Sequence, residues 1–185
     1  PGETVWDVCA GGGGKSLFLA ALMKNKGRVI ATDIRAHKLT ELRKRMRRAG
    51  AYKIYPADLA RVEKVREMKG GADKILIDAP CSGTGTLRRN PDAKWKLTPA
   101  GLARCQKDQL AILENVLPYL RTGGKVYYVT CSLDALENEE VVRHFLARHS
   151  DLARVPYPGS PDGFLRLFPH THQTDGFFLA IAEKK

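Results

Sequence analysis

The chain has 185 residues, of which 31 are Lys or Arg and 20 are Asp or Glu, so its formal net charge is +11 at pH 7. With 43% hydrophobic residues, it has enough apolar material to fold, which excludes a disordered tail. No apolar run approaches the roughly 18 residues of a membrane-spanning helix, and the first residues lack the charged leader of a signal peptide. We expect one domain, residues 1–185, that binds an anionic partner. Nucleic acid is favoured over an acidic membrane surface as that partner.

The four cysteines lie far apart in the sequence and form no C-x-x-C pair; they are Cys9, Cys81, Cys105 and Cys131. This spacing argues against a zinc ribbon and against a dense disulfide framework. We therefore expect a reducing, cytoplasmic compartment and no metal site.

Strand-like and helix-like segments alternate along the chain, which is typical of an α/β fold with parallel strands and crossover helices. Apolar segments rich in Val and Ile predict strands at residues 4–9, 28–33, 53–55, 74–78 and 125–130. Helical periodicity predicts helices at residues 15–24, 36–49, 60–68, 99–120 and 136–148. Thr98 and Pro99 mark a helix start, and Gly50 and Gly123 mark helix ends. Two late apolar runs, residues 164–168 and 177–182, predict an antiparallel hairpin at one edge of a mostly parallel sheet.

A glycine-rich loop joins the first predicted strand to the first predicted helix and comprises Cys9, Ala10, Gly11, Gly12, Gly13, Gly14 and Lys15. Glycines at the carboxyl end of such a strand let a ligand approach the backbone. The loop's end and Ser16 match the end of a phosphate-binding P-loop, with Asp78 as a magnesium carboxylate. That motif requires its first glycine at position 9, which is Cys9 in this chain, so the match is partial. A nucleotide-hydrolysing domain is therefore the alternative interpretation.

Two acidic residues favour a ligand that contains a nucleoside. Asp33 ends the second predicted strand about 20 residues after the loop, where a carboxylate binds ribose hydroxyls. Asp58 follows a third strand-like segment, and it either contacts an adenine amino group or caps the next helix. The loop and the two acids together resemble the S-adenosylmethionine site of Rossmann-like methyltransferases.

Cys81 and Cys131 each follow a predicted strand, so we expect both at one rim of the sheet, whereas Cys9 and Cys105 are expected to be structural. A thiol beside a methyl donor suits methylation at carbon 5 of a pyrimidine. Thiolate addition to carbon 6 makes carbon 5 nucleophilic, and elimination later releases the thiol. Asp78 is the candidate for stabilising the charged ring at nitrogen 3. The residues alone do not rank the two cysteines.

Five segments form a specific combination: residues 7–10 with 13–15, 78–85 (DAPCSGTG), 89–92 (RNPD), 130–132 (TCS) and 174–178 (TDGFF). This set resembles the RsmB/NSUN-type RNA cytosine-5 methyltransferases over nearly the whole chain. The resemblance implies a Rossmann-like fold and methyl transfer from S-adenosylmethionine to carbon 5 of a cytosine in RNA, with ribosomal RNA favoured over transfer RNA. It makes Cys131 the nucleophile and Cys81 the helper in product release. Related DNA enzymes use the proline-cysteine thiol, so the reversed assignment stays open.

The same resemblance assigns residues 9–15 to the donor loop, Asp33 to the ribose, Asp58 to the adenine and Asp78 to the rim. It also brings Lys15 near Asp78 and the target base, and leaves Cys9 with a backbone role. Family members carry a further donor-site segment and an RNA-binding region before the first strand. We therefore expect a catalytic fragment, and a monomer by default.

A basic loop follows the proline-cysteine turn and contains Arg88, Arg89, Lys94, Trp95 and Lys96. Its cations are expected to hold RNA phosphates around a flipped base, and its tryptophan either stacks on a base or packs under the loop. The basic helix at residues 36–49 favours a solvated face. A noncatalytic RNA-binding module is the second alternative.

Overall fold

Residues 1–58 and 70–185 are described by a computed structural model, and they alternate strands and helices as an α/β protein does. The chain divides into two compact units: Pro1–Asp78 with Pro118–Val126, and Ala79–Leu117 with Tyr127–Lys185. The helix predicted at residues 60–68 lies outside the described residues. Within the described ranges, no helix has the length and apolar character to cross a membrane.

The first unit is built on parallel strands that alternate with helices. Its elements are β1 Thr4–Asp7, α1 Gly14–Leu22, β2 Arg28–Asp33, α2 Ala36–Arg48, β3 Ile54–Asp58 and β4 Ala72–Asp78. The strands lie in the order β3-β2-β1-β4, followed by the start of β5, Leu120–Thr130. Helix α2 buries Leu39 and Leu42 in the core against Val29 and Ile54, which explains why this highly charged segment is helical.

The register of the parallel strands aligns their carboxyl ends. Asp7 pairs with Ala31, and Asp33 pairs with Asp58. Strands β2 and β4 flank β1 on opposite sides, so the strand order reverses at β1. Such a reversal opens a crevice at the carboxyl ends, where ligands of open α/β sheets bind.

The second unit contains the end of β5 and the rest of the chain. Its other elements are α3 Ala93–Lys96, α4 Pro99–Val116, α5 Glu139–Arg148, β6 Leu152–Val155, β7 Leu165–Leu167, α6 Pro169–His172 and β8 Phe177–Lys184. Strand β8 runs antiparallel to both β6 and β7. The predicted hairpin is confirmed as β7 and β8, while β6 was not predicted because its four residues form no continuous apolar run.

Several predicted boundaries are wrong for identifiable reasons. The helix predicted to reach residue 120 ends at Val116, because Pro118 lacks an amide hydrogen and clashes with the preceding helical turn. Gly123 therefore lies inside β5, with φ of 73°. The helix predicted from residue 136 begins at Glu139, and the first strand ends at Asp7. The predicted cap is confirmed, since the Thr98 hydroxyl accepts the Gly101 amide at 3.1 Å.

Candidate active site

The glycine-rich loop is tied to the end of β2 by hydrogen bonds. The Gly11 amide donates to Oδ2 of Asp33 at 2.8 Å. The Ala10 amide donates to the Thr32 carbonyl at 2.8 Å, and the Gly13 amide returns to the Ala10 carbonyl at 2.8 Å. The loop is thus a tight turn whose backbone is held at the crevice beside β1.

Gly13 fits the loop because it has no side chain. It precedes α1 with φ of 82°, a left-handed conformation that favours glycine. A Cβ atom there would lie 2.1 Å from Cδ1 of Leu42 in α2. Helix α2 also contributes Arg45, whose Nη1 donates to the Gly12 carbonyl at 2.7 Å. Sequence reasoning treated Arg45 as part of a solvated face, since nothing distinguished it from the other cations of that helix.

Asp33 is prepared to accept hydrogen bonds at the carboxyl edge of β2. Burial by itself would raise its pKa, but hydrogen bonds from the Arg35 side chain and amide and from the Gly11 amide outweigh it. The net result is a lowered pKa, so the side chain is a carboxylate at neutral pH. Asp58 is its register neighbour in β3. The two acids predicted to contact a nucleoside therefore lie side by side.

Lys15 and Asp78 form an ion pair in the first unit. Lys15 lies in the first turn of α1, Asp78 is the last residue of β4, and Nζ lies 2.5 Å from Oδ2. Both side chains are partly exposed. This contact joins the loop helix to the strand that leads into the proline-cysteine turn.

Burial raises the pKa of two ionisable groups at the end of β1 and the start of the loop. Burial raises the pKa of Asp7 to about 6, although the Ser16 hydroxyl donates to its Oδ2 at 2.6 Å. Burial, followed by the charge of Asp33, raises the pKa of the Cys9 thiol to about 12. Because Cys9 is not a thiolate at neutral pH, any contribution that it makes to a ligand comes through its backbone.

The second unit brings Cys81 and Cys131 together. Cys81 follows β4 by three residues and Cys131 directly follows β5, and their Sγ atoms are 3.3 Å apart. The hydrogen bond with Cys131, and then burial, raise the pKa of the Cys81 thiol. Either sulfur can donate the hydrogen in this contact. Cys105, on α4, is a separate half-buried thiol whose pKa is raised by burial first and by Glu137 next.

Two glycines hold the cysteine turns close to the C-terminal motif. The Gly85 amide donates to the Cys131 carbonyl at 2.8 Å, and the Gly176 amide donates to the Gly85 carbonyl at 2.8 Å. A Cβ atom on Gly85 would lie 2.4 Å from the Gly176 oxygen and 2.7 Å from the Cys131 oxygen. The backbone of these motifs therefore packs too closely for any side chain at position 85.

The basic loop exposes its tryptophan. Trp95 is 79% exposed, and Nζ of Lys94 lies 4.8 Å from its ring centroid. Of the two interpretations of Trp95, the packed one is thus wrong. Arg89 forms an ion pair with Asp175, whose Oδ1 lies 3.9 Å from Nη2 of Arg88, so part of the expected phosphate-binding charge is already paired.

The candidate residues fall into two sets, one in each unit. The first unit contains residues 9–15, Asp33, Asp58 and Asp78, and the second contains the two cysteines and the basic loop. Sequence reasoning missed Glu137, a buried carboxylate that contacts the serines beside both cysteines. The residues around Glu137 resemble the acidic first turn of an ordinary helix, so nothing in the local sequence indicated its contacts. Across residues 1–58 and 70–185, no group of three or more His, Cys, Asp or Glu residues is arranged to hold a metal ion.

Comparison with known proteins gives a consistent family. The sequence model of a family described as 16S rRNA methyltransferase RsmB/F matches residues 1–183. A probable ribosomal RNA small subunit methyltransferase B from Bacillus subtilis is 40% identical over 99% of this chain and 43% of its own length. The human 28S rRNA (cytosine(4447)-C(5))-methyltransferase is 34% identical over 98% of this chain and 25% of its own length.

Solved structures extend the comparison to the fold. The crystal structure of NSun6 from Pyrococcus horikoshii with SFG has a TM-score of 0.86 and 30% identity, covering 98% of this chain and 48% of that one. The chain thus spans less than half the length of these relatives.

Proposed function

Because the chain belongs to the 16S rRNA methyltransferase RsmB/F family, we propose that it is the catalytic part of an RNA cytosine-5 methyltransferase. The observation that carries this proposal is the pair of thiols on two strand exits, with sulfur atoms 3.3 Å apart. Many enzymes need only one reactive thiol, whereas methylation at carbon 5 of a pyrimidine can employ two thiols. One thiol activates the ring, and the other helps to release the product.

We assign the methyl donor, S-adenosylmethionine, to the first unit. The carboxylates of Asp33 and Asp58 are register neighbours at the carboxyl edge, a pattern that suits ribose hydroxyls and an adenine amino group. The turn of residues 9–15 has no side chain between the two flanking residues Ala10 and Lys15, so its backbone is accessible to a ligand. The donor supplies an electrophilic methyl group when it is bound.

Cys131 is assigned as the nucleophile and Cys81 as the helper. The Cys131 thiolate adds to carbon 6 of cytosine, and the electron pair of the 5,6 double bond becomes available at carbon 5 for bonding to the methyl group. Removal of the carbon 5 proton then expels the Cys131 sulfur and restores the double bond. The raised pKa of the Cys81 thiol supports this order, because a thiol that stays protonated is a poor nucleophile.

Asp78 and Lys15 complete the catalytic assignment. Only two residues separate Asp78 from Cys81 in the sequence, which supports a role for its carboxyl group at nitrogen 3 of the base. The ion pair with Lys15 holds that carboxyl group in one orientation. A positioned partner at nitrogen 3 stabilises the charge that develops on the ring.

The substrate is assigned as RNA, with ribosomal RNA favoured over transfer RNA because the named relatives act on ribosomal RNA. Arg88, Lys94 and Lys96 supply phosphate contacts, and the exposed Trp95 ring offers a stacking surface. Reaching carbon 5 requires that the cytosine leave its stack. Four free cysteines fit a cytoplasmic, reducing location.

The test uses the intact protein with tritiated S-adenosylmethionine and ribosomal RNA. We compare wild type with Cys131→Ser, Cys81→Ser and the matched control Cys105→Ser. We expect no transfer with Cys131→Ser, a trapped RNA adduct with Cys81→Ser, and near wild-type transfer with the control. Wild-type transfer by Cys131→Ser rejects the nucleophile assignment. RNA binding without transfer by any form favours a noncatalytic module, and magnesium-dependent ATP hydrolysis favours a P-loop enzyme.

A further inference from the structure

Glu137 is a carboxylate with no exposed surface at all (0%). Burial of a charged group is tolerated only when hydrogen bonds replace its water. Oε1 accepts the Ser82 amide at 2.8 Å and Nε2 of Gln109 at 3.1 Å. Oε2 accepts the Ser132 hydroxyl at 2.6 Å and the Ser82 hydroxyl. Each carboxylate oxygen thus accepts two of these hydrogen bonds.

The donors to this carboxylate flank the two thiols. Ser82 directly follows Cys81, and Ser132 directly follows Cys131. The same carboxylate therefore binds both cysteine-bearing turns, although the two serines are 50 positions apart in the sequence.

The hydroxyl groups of Ser82 and Ser132 both need a hydrogen-bond acceptor at this position. Each serine hydroxyl has one hydrogen, and both are directed to Oε2 of Glu137. The 3.2 Å contact between the Ser82 and Ser132 hydroxyls is therefore not bridged by a proton. Thr84 lies 3.1 Å from the Ser132 hydroxyl, and it donates there while it accepts the Leu133 amide at 2.8 Å. With an amide in place of the carboxylate, an NH2 group would replace one of the two oxygens. It would face either the two N–H donors or the two serine hydroxyls, and those groups would have to turn around or move away.

Glu137 is itself held in a fixed position. The Tyr128 hydroxyl, on β5, donates to the Glu137 carbonyl at 2.6 Å. Gln109, on α4, donates both to the carboxylate and, at 2.9 Å, to the carbonyl of Pro80, which precedes Cys81. Glu137 is thus attached to a strand through its main chain, and through its carboxylate to a helix and to the two turns.

We propose that Glu137 is a positioning residue that sets the spacing and orientation of the Cys81 and Cys131 thiols. Its catalytic consequence rests on the function proposed above, while the spacing itself does not. Cys131 must meet carbon 6 while Cys81 acts at the same ring, so both sulfurs need fixed places. Misplacement of a reacting group by about 1 Å is enough to cost on the order of 100-fold in rate.

The test compares Glu137→Gln, Glu137→Asp and Glu137→Ala with wild type in the intact protein. Glu139→Gln is the matched control, because Glu139 is a nearly buried carboxylate two residues away that pairs with Arg166 and not with either serine. For each variant we measure kcat and both KM values for methyl transfer, and the thermal midpoint. We also measure the rate at which diamide joins Cys81 to Cys131, which reports the spacing of the thiols without any methyl transfer.

For Glu137→Gln and Glu137→Ala we expect kcat to fall about 10- to 100-fold with KM values within about twofold of wild type. Cross-linking should slow by roughly tenfold, because effective concentration depends on geometry. Glu137→Asp keeps the acceptors and should recover part of both losses, and Glu139→Gln should change neither by more than about twofold.

Unchanged kcat and cross-linking in Glu137→Gln overturn the proposal, as does a loss of kcat no larger than the loss of folded protein. If Glu137→Ala does not fold, the Gln and Asp variants still decide. Absence of methyl transfer by wild type rejects the proposed function instead, and the cross-linking rates then test the spacing alone.

Discussion

The sulfur atoms of Cys81 and Cys131 lie 3.3 Å apart, although the two residues are 50 positions apart in the sequence. The backbone beside them explains this proximity, since the Ala79 amide donates to the Val129 carbonyl at 2.8 Å. The Gly85 amide makes a second link, to the Cys131 carbonyl. These main-chain hydrogen bonds join the two cysteine turns, and a serine in place of either cysteine would leave them intact.

This proximity predicts a reversible disulfide. Peroxide converts one thiolate to a sulfenic acid, and the second thiol displaces water to form the disulfide. We expect a Cys81–Cys131 linked peptide by mass spectrometry, loss of methyl transfer, and recovery with dithiothreitol. Cys105→Ser should cross-link normally and Cys81→Ser should not. Preferential pairing of any other cysteines would contradict the geometry.

Gly13 and Gly14 give a matched pair of substitutions. Gly13→Ala places a Cβ atom 2.1 Å from Leu42 at positive φ, whereas Gly14→Ala meets no atom within 4 Å. We expect Gly13→Ala to lose about 2 to 4 kcal/mol in the free energy of unfolding, from left-handed strain and overpacking. Gly14→Ala should be neutral or slightly stabilising in a helix. Urea denaturation measures both, and equal losses would show that the clash is relieved.

Asp33 is predicted to determine donor affinity. Asp33→Asn removes the negative charge but keeps the size of a side chain that accepts the Gly11 amide at 2.8 Å. We expect the Kd for S-adenosylmethionine to rise about 10- to 100-fold, the range for a lost charged hydrogen bond. Calorimetry provides the measurement. Asp73→Asn is the control, since Asp73 binds Arg121 and the Thr4 amide instead, and a similar loss there would indicate a general effect on folding.

Asp7 predicts a pH-dependent stability with a defined sign. Its pKa is raised from 3.8 to about 6 in the folded protein. The folded state therefore binds the proton more tightly than the unfolded state, and ionisation removes stability as the pH rises from about 4 to 6. Asp7→Asn stays neutral, so its stability relative to wild type should rise by about 3 kcal/mol across that interval. Urea denaturation at several pH values measures this difference, and a constant difference would mean that folding does not raise the pKa of Asp7.

The basic loop predicts unequal contributions to RNA binding. Lys94→Ala and Lys96→Ala should each reduce the salt dependence of log K by roughly one unit. Arg89→Ala should reduce it less, because Arg89 already forms an ion pair with Asp175. Trp95→Ala should weaken binding about 10- to 100-fold with an unchanged salt slope, as loss of a stacked base does. Filter binding over a salt series measures all four variants, and identical slopes for wild type and the lysine variants would exclude phosphate contacts by this loop.

Much of the fold follows from local sequence. The alternation of apolar and helical segments, the glycine turn after β1 and the cap at Thr98 depend on neighbours in the chain, so the sequence alone indicated them correctly. The short strand β6 and the end of α4 were missed because pairing with β8 and the position of Pro118 outweighed local periodicity. The family motifs identified Cys81 and Cys131 as a pair, but not their distance.

Sequence alone therefore determined the class of fold, the family resemblance and the candidate residues, since each depends on residue types at short spacings. Tertiary structure alone decided that Arg45 holds the glycine loop, that Trp95 is exposed and that Arg89 is paired with Asp175. It also decided that Glu137 links the two cysteine turns. The physical reason is that a hydrogen bond between distant segments depends on how the chain packs. The residue type of an arginine or a glutamate does not indicate whether its side chain is buried or exposed to solvent.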